Sequence, residues 1–210
     1  MTKFLITSSL LNSYSYYMGD DYKSPADSRA DFLKTLSRER FEPNEAMQKG
    51  IDFEDNIRAV VFDGMHDKGQ IIDASHPIEH IANIVVGGLW QQSVKKEIKV
   101  GNQEFLLYGR TDVIKRDTIY DIKFTGNYEL GKFLDSSQHL IYLYCSDLPN
   151  FSYLISDGKD WWREDYVNDG NVEDSIKSMI SDFMGYLEND KEAKEMFLTK
   201  WESKNNNNAQ

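Results

Sequence analysis

The sequence contains a single cysteine, Cys145, among its 210 residues. One thiol cannot form an internal disulfide, and it cannot by itself build a zinc cage or an iron–sulfur cluster. The chain also lacks an apolar run of about eighteen residues, so no transmembrane helix is predicted. Its first residues, MTKFLITSSLLNSYSYY, become polar too early for a secretory signal. These absences make the cytoplasm the expected location.

Basic residues are in the minority. The chain has 24 Lys and Arg against 35 Asp and Glu, so its formal net charge is −11. A charge of this sign disfavours nucleic acid as a ligand, because the phosphate backbone is also negative. Local basic patches, or divalent cations that neutralise some of the acids, could offset this repulsion.

The chain does contain enough apolar residues for a core, since 40% of it is hydrophobic and 13% aromatic. Its length predicts a single domain over residues 1–203, with an N-terminal helical segment. The polar, low-complexity end KNNNNAQ predicts a disordered tail over residues 204–210.

Four helices are predicted in the first half of the chain from apolar spacing near 3.6 residues and from capping residues. Thr7 or Ser8 can cap the first, and Ser24 can cap the second. The third is NEAMQKGIDFEDNIRAVVFDG, ending near Gly64, and the fourth is SHPIEHIANIVVGGLW.

The apolar period then changes from 3.6 to 2, which is typical of strands. The segments QSVKKEIKV, QEFLLYGRTDVI and TIYDIKF predict a three-stranded meander. A helix over DSSQHLIYLYCSD, a hairpin over FSYLISDGKDWWREDYV and an amphipathic helix over NVEDSIKSMISDFMGYLEND follow. This order predicts a mixed α/β (α+β) domain.

The segment GRTDVIKRDTIYDIK places like charges opposite each other. If its turn lies at residues 116–117, Asp112 faces Asp121 and Arg110 faces Lys123, with the two aspartates and Lys123 on one face. Facing carboxylates repel unless a cation lies between them, and magnesium takes one or two carboxylates together with water and phosphate oxygens. An exposed face of solvated charges is the alternative, and a one-residue change of register would separate the aspartates.

The same strand supplies further candidates. The backbone carbonyl of Ile122 could complete the shell of a metal ion, while the Ile122 side chain points to the core with Tyr120 and Phe124. Lys123 could orient or help deprotonate an attacking water, or stabilise negative charge on a phosphate.

Glu54 lies within the apolar arc of the third predicted helix. At about 100° per residue, the residues nearest to it are mainly apolar: Met47, Gly50, Ile51, Ile57 and Val61. A carboxylate in such an arc is costly unless it is paired or metal-bound. The alternative is an edge position where Glu54 pairs with Arg58 or another base.

Gln138 and Tyr142 are four residues apart and project from one face of the predicted helix. An ordinary helix flank, with the Tyr half-buried and the Gln solvated, is the alternative. The four histidines, His66, His76, His80 and His139, form no metal-binding motif.

Taken in order, these residues resemble the PD-(D/E)xK nuclease superfamily, and within it the RecB-like and lambda-exonuclease-like branch that includes CRISPR-adaptation nucleases. The resemblance spans about residues 5–145. ITSSLLNSYSYY is similar to the opening Ser-x-Ser-x-Leu helix, GIDFE to the segment ending in a ligand at Glu54, and GRTDVI to the Gly-x-x-Asp motif at Asp112. YDIK matches the Asp/Glu-x-Lys core at Asp121 and Lys123, and QHLIY matches Gln-x-x-x-Tyr at Gln138 and Tyr142.

The resemblance implies a restriction-endonuclease-like core, a central mixed sheet flanked by helices. It implies that Glu54, Asp112, Asp121 and the Ile122 carbonyl hold Mg²⁺ or Mn²⁺, with Lys123, Gln138 and Tyr142 beside them. Many relatives hold an iron–sulfur cluster through four cysteines. Here Tyr16 or Tyr17 stands at the first such position and only Cys145 remains, so no cluster is expected.

The implied activity is hydrolysis of DNA, more in keeping with an exonuclease than an endonuclease, in recombination, repair or phage and mobile-element processing. A phage origin would place it in the host cytoplasm. A recombinase, single-strand annealing protein or helicase would be a partner, and a homo-oligomer fits the branch.

The rivals are a non-catalytic DNA-binding or protein-interaction module on the same fold, and another carboxylate–metal enzyme such as a phosphatase. The candidate DNA contacts are Ser8 and Ser9 for a terminal phosphate, and Arg110, Lys115, Arg116, Lys95, Lys96 and Lys99.

Overall fold

The structure, a computed structural model, describes residues 2–19, 24–40, 42–64 and 76–203. The predicted tail at 204–210 lies outside them. The helices are α1 (Ser8–Met18), α2 (Pro25–Ser37), α3 (Glu45–Gly64), α4 (Pro77–Val85), α5 (Ser137–Ser146), α6 (Val172–Asn189) and α7 (Lys191–Lys200). The strands are β1 (Phe4–Thr7), β2 (Leu89–Trp90), β3 (Ser93–Val100), β4 (Gln103–Arg110), β5 (Val113–Lys115), β6 (Thr118–Phe124), β7 (Asn150–Ser156) and β8 (Trp161–Val167).

A three-stranded sheet has the order β1-β4-β3. Strands β3 and β4 form an antiparallel hairpin as predicted, and Gly101 in its turn has a positive φ of 58° that suits a glycine. Strand β1, which runs parallel to β4, was not predicted. Its four residues are too few for a periodic signal, and they extend directly into α1, where the Thr7 side chain accepts a hydrogen bond from the Leu10 N–H as the expected cap.

A five-stranded sheet has the order β2-β5-β6-β7-β8. Strands β6 and β7 are parallel and the other neighbours are antiparallel. The connection from β6 to β7 contains α5, as parallel strands require a crossover. Helices α3 and α4 cover one face of this sheet. Their side chains Phe53, Ile57, Ile81 and Val85 pack against Ile122 of β6 and bury it. The predicted mixed α/β class, with mixed sheets flanked by helices, is confirmed.

The predicted meander was wrong in one respect. QEFLLYGRTDVI is not one strand, because the chain leaves the first sheet after Arg110 and enters the second at Val113. At the crossing, the Thr111 N–H donates to the carbonyl of Gln92 at 2.9 Å. Arg110 therefore pairs with Ser93 on β3 and does not face Lys123.

Two other boundaries differ from the prediction. The fourth helix ends at Val85, and Gly87, with a φ of 78°, turns the chain into the short strand β2. Helix α7 follows α6 after a break at Asp190, where a single closing helix was expected. None of the helices within the described residues is long and apolar enough to cross a membrane.

Candidate functional site

The β5–β6 hairpin has the predicted register. Val113 pairs with Tyr120 and Lys115 with Thr118, so Asp112, which directly precedes β5, lies next to Asp121. One carboxylate oxygen of Asp112 accepts a hydrogen bond from the backbone N–H of Ile122 at 2.7 Å. The two aspartates therefore lie on adjacent chain segments at one end of the hairpin, as the sequence predicted.

Asp121 is the buried centre of a polar network. Its side chain is 2% exposed. Its Oδ2 lies 2.7 Å from Nζ of Lys123, and its Oδ1 accepts a hydrogen bond from Nε2 of Gln138 at 2.6 Å. The same Gln138 amide lies 3.3 Å from the hydroxyl of Tyr142, which in turn donates to the carbonyl of Arg110 at 2.9 Å. Gln138 and Tyr142 thus reach the site together, and the solvated-flank alternative is wrong.

Helix α5 is placed against the site by its first turn. The Ser136 side chain accepts from the N–H of Gln138 as the cap, and Asn12 of α1 accepts from the N–H of Ser137 at 2.8 Å. Further along the helix, the Tyr142 ring lies over Gly109 of β4. A Cβ at Gly109 would come within 2.2 Å of that ring, so this close approach requires glycine.

Glu54 approaches from α3 and is half-buried. Its Oε1 accepts a hydrogen bond from Nε2 of Gln91 at 2.7 Å. The alternative partner, Arg58, lies instead over the ring of Phe62. The predicted arc was right for Ile57 and Val61, which are buried, and wrong for Met47 and Ile51, which are 47% and 44% exposed. The first turns of α3 are therefore exposed at positions that the arc predicted to be apolar and covered.

The three carboxylates repel one another. Burial, together with the charges of Asp121 and Glu54, raises the pKa of Asp112 well above its usual value. Burial and the charge of Asp121 also raise the pKa of Glu54. Burial alone would lower the pKa of Lys123, but the negative charges of Asp121 and Asp112 outweigh it and raise that pKa. Lys123 is therefore held as a cation, which favours charge stabilisation over a role as a base.

The donor set has the chemistry of a magnesium or manganese site. Three carboxylates and the nearby Ile122 carbonyl are hard oxygen ligands, and their mutual repulsion is what a divalent cation would relieve. The buried Oδ2 of Asp121 has no hydrogen-bond partner apart from its ion pair with Lys123. The side chains are not preformed around an ion, however. Among the described residues, no three His, Cys, Asp or Glu side chains are arranged closely enough to hold one.

Comparisons with known proteins bear on the fold. No family model matches the chain. No curated protein matches it either. Among solved structures, the protein SSO0001 superposes with a TM-score of 0.52 at 14% identity, over 85% of this chain and 76% of that one. At this identity the likeness concerns the fold alone.

Two structures of the alkaline exonuclease LHK-Exo from Laribacter hongkongensis also resemble the chain. The first has a TM-score of 0.49 at 15% identity and covers 93% of each chain. The second, a complex with dAMP, has a TM-score of 0.47 at 16% identity and covers 91% of this chain and 90% of that one.

The predicted DNA contacts lie in different places. Ser8 is buried and accepts from the Ser137 hydroxyl through its carbonyl, whereas Ser9 is exposed. Arg110 is exposed, and its carbonyl is joined to the site through Tyr142. Lys115 donates to the carbonyl of Ile84 at 2.6 Å. Lys115 and Arg116 lie at the opposite end of the hairpin from Lys123. Lys115 pairs with Thr118, five residues before Lys123, so at 3.3 Å per strand residue the backbones at Lys115 and Lys123 are about 17 Å apart.

The more distant lysines are on β3. Lys96 forms an ion pair with Asp147 at 2.5 Å, and Lys95 and Lys99 are exposed on the same strand. The histidines have structural contacts: His76 caps α4, and His139 stacks on Tyr166. His66 lies outside the described residues.

Sequence reasoning missed Gln91 and the cleft beside Lys123. Gln91 has a positive φ of 55°, which directs the chain between β2 and β3, and no motif marks it. The cleft has a volume of about 550 Å³ and lies between α1 and the segment that precedes α5. Its polar wall includes Asn12, Lys132 and Gln138. The sequence signal for this cleft is Lys132, a basic residue in the segment GNYELGKF between the motifs at Lys123 and Gln138.

Proposed function

We propose that this chain is a metal-dependent deoxyribonuclease that hydrolyses phosphodiester bonds. One observation carries the proposal: a cationic Lys123 is ion-paired with a buried Asp121, next to two more carboxylates whose charges destabilise each other. A structural ion pair would need no such cluster. Perturbed carboxylates with one half-buried lysine beside a cleft are typical of a reaction centre.

Each residue has a distinct role in this proposal. Glu54, Asp112, Asp121 and the Ile122 carbonyl would hold Mg²⁺ or Mn²⁺, which supplies Lewis-acid chemistry at such sites. Lys123 would donate from its ammonium group to a phosphate oxygen as negative charge grows. Gln138 would fix the Asp121 carboxylate. Burial and the charge of Asp121 raise the pKa of Tyr142 to about 12, so its hydroxyl stays protonated and orders the Arg110 backbone.

We also propose that the enzyme is an exonuclease acting on linear DNA in recombination, repair or phage and mobile-element processing. Its support is the order of the five motifs, from ITSSLL to QHLIY. A recombinase, a single-strand annealing protein or a helicase would deliver its substrate, in a cytoplasmic compartment.

The test is a cleavage assay on three substrates: end-labelled linear duplex, linear single strand and covalently closed circle. Each is incubated with Mg²⁺, Mn²⁺ or EDTA. The variant Lys123→Met keeps the length of the side chain and removes its charge. Lys200→Met is the matched control, because Lys200 is exposed at the end of α7. Metal-dependent loss of linear DNA, reduced at least about 100-fold in Lys123→Met alone, supports the nuclease.

A non-catalytic module on the same fold is the second candidate. It is favoured by the hydrogen bonds that two of the carboxylates already accept, Glu54 from Gln91 and Asp112 from the Ile122 N–H. Folded wild-type protein that binds DNA but cleaves no substrate with either metal would select it.

Sparing of the closed circle, with loss of linear DNA, would select exonuclease over endonuclease.

A further inference from the structure

The chain between Lys123 and Gln138 passes over the cleft. We call residues 125–136 the connecting loop, because they join β6, which carries Lys123, to the helix that carries Gln138. The connecting loop forms one wall of the 550 Å³ cleft, with Lys132, Phe133 and Ser136 facing α1. A molecule that fills the cleft would therefore contact both this loop and the candidate catalytic lysine.

One buried carboxylate anchors the middle of the connecting loop. Oε1 of Glu164, on β8, accepts hydrogen bonds from the Tyr128 hydroxyl at 2.7 Å and from the Gly131 N–H at 2.8 Å. Its other oxygen accepts from the Tyr166 hydroxyl at 2.8 Å. Glu164 itself is 7% exposed. Because these contacts are partly buried, the residue that follows Gly131 is held in place beside the cleft.

That residue is Lys132. Its ammonium donates to the Thr125 hydroxyl at 2.6 Å and to the Asn127 carbonyl at 2.5 Å, both neutral oxygens. Within the described residues, no carboxylate lies at ion-pair distance from it. Lys123, in contrast, is neutralised by Asp121. Among the described residues, Lys132 is therefore a positive charge without an ion-pair partner on the cleft wall, in a chain whose net charge is −11.

The rest of the cleft suits a strand of nucleic acid better than a compact anion. Tyr16, at the far wall, is 79% exposed and offers a ring face, and Phe133 offers another apolar surface. Ser15 supplies a neutral hydroxyl. The Asn12 side chain also lines the cleft, where it is hydrogen-bonded to Ser136 and Ser137. Among the described residues that line the cleft, the one acid is Asp135, which is exposed to solvent. The volume of about 550 Å³ is in the range of small-ligand sites, which fits a short piece of a single strand.

We propose that Lys132 binds a phosphate of a single DNA strand lying in this cleft, and that the connecting loop is thereby part of the substrate site. The proposal rests on the proposed nuclease function and identifies where its substrate strand lies. The phosphate is either a terminal 5′-phosphate or an internal phosphodiester, which present the same oxygens to the ammonium group.

The test measures binding rather than cleavage. An eight-nucleotide single strand with a 3′ fluorophore, with or without a 5′-phosphate, is titrated by fluorescence anisotropy in EDTA and again in Ca²⁺. Lys132→Met is compared with Lys132→Arg and with the control Lys200→Met. We expect Lys132→Met to weaken binding about tenfold and to reduce the salt slope by about 0.7, the value for one contact to single-stranded DNA. Lys132→Arg and Lys200→Met should bind like the wild type.

Each outcome decides a point. Weakening on both strands assigns an internal phosphate, and weakening on the 5′-phosphorylated strand alone assigns a terminal one. Unchanged affinity of Lys132→Met, or no binding of either strand by the wild type, overturns the proposal. If binding depends on Lys132 while the wild type cleaves nothing with either metal, the nuclease fails and the strand site stands. If cleavage is metal-dependent while Lys132→Met binds normally, the nuclease stands and the strand site fails.

Discussion

Asp112 and Ile122 are joined across the β5–β6 hairpin by a 2.7 Å hydrogen bond from the Ile122 N–H to the Asp112 carboxylate. The bond draws a carboxylate that precedes β5 onto the neighbouring strand. There it lies beside Asp121, and the two charges oppose each other in a partly buried place. This arrangement is costly without a cation, and it leads to the first prediction.

Asp112→Asn should stabilise the metal-free protein and remove its response to metal. The amide keeps an acceptor for the Ile122 N–H and removes the repulsion, so the free energy of unfolding in EDTA should rise by about 0.5–2 kcal/mol. Mg²⁺ should raise the Tm of the wild type but not of the variant, because only a bound ligand shifts the folding equilibrium. Urea unfolding and thermal unfolding measure both effects. Asp174→Asn, at an exposed acid on α6, is the control, and an equal Mg²⁺ response in all three proteins would contradict the prediction.

Gly109→Ala should damage the site through Tyr142. The new Cβ would come within 2.2 Å of the Tyr142 ring, so the ring must move away from Gln138 and the Arg110 carbonyl. Overpacking of this kind costs about 1–3 kcal/mol of stability. Chemical denaturation gives the loss, and the cleavage assay should show reduced turnover. Gly185→Ala in α6 is the matched control, since its Cβ would meet no atom within 4 Å.

Glu164→Ala should loosen the connecting loop, whereas Glu164→Gln should largely preserve it. Alanine leaves the Tyr128 hydroxyl and the Gly131 N–H without their acceptor, at a cost of about 1–3 kcal/mol. Glutamine can still accept both bonds through its Oε1. Amide hydrogen exchange at Gly131 should accelerate in the alanine variant alone. If both variants exchange like the wild type, Glu164 does not hold the loop.

His139 should make the protein less stable in mild acid. Burial lowers the pKa of this imidazole to about 4 in the folded chain. In the unfolded chain the histidine pKa is about 6.5, so the folded chain binds the proton only at a lower pH. Stability therefore falls as the pH drops from about 6.5 to 4, by about 3 kcal/mol from this residue, and the loss levels off below 4. His139→Phe keeps a ring against Tyr166 and removes the titration. Urea midpoints between pH 7 and 4 should fall less steeply in the variant than in the wild type.

Local sequence determined most of the elements and the core of the site. Ser24 and Ser136 cap the helices expected of them, and the alternation in TIYDIKF gives a strand with Asp121 and Lys123 on one face. Short-range periodicity and capping are properties of neighbouring residues, so the sequence contains them directly. The hairpin register, which brings Asp112 to Asp121, follows from the same alternation and a short turn.

Tertiary structure decided what those elements meet. The division of QEFLLYGRTDVI between two sheets depends on two backbone hydrogen bonds, from Thr111 to the Gln92 carbonyl and from Gln91 to the Asp112 carbonyl. Gln92 lies 19 residues before Thr111, and Gln91 lies 21 residues before Asp112. The pairing of Glu54 with Gln91 and the anchoring of the connecting loop by Glu164 likewise join residues far apart in sequence. Such contacts leave no periodic signal, because they depend on how sheets and helices pack. The sequence therefore indicated the carboxylates and Lys123, and only packing placed Lys132 on the same cleft as Lys123.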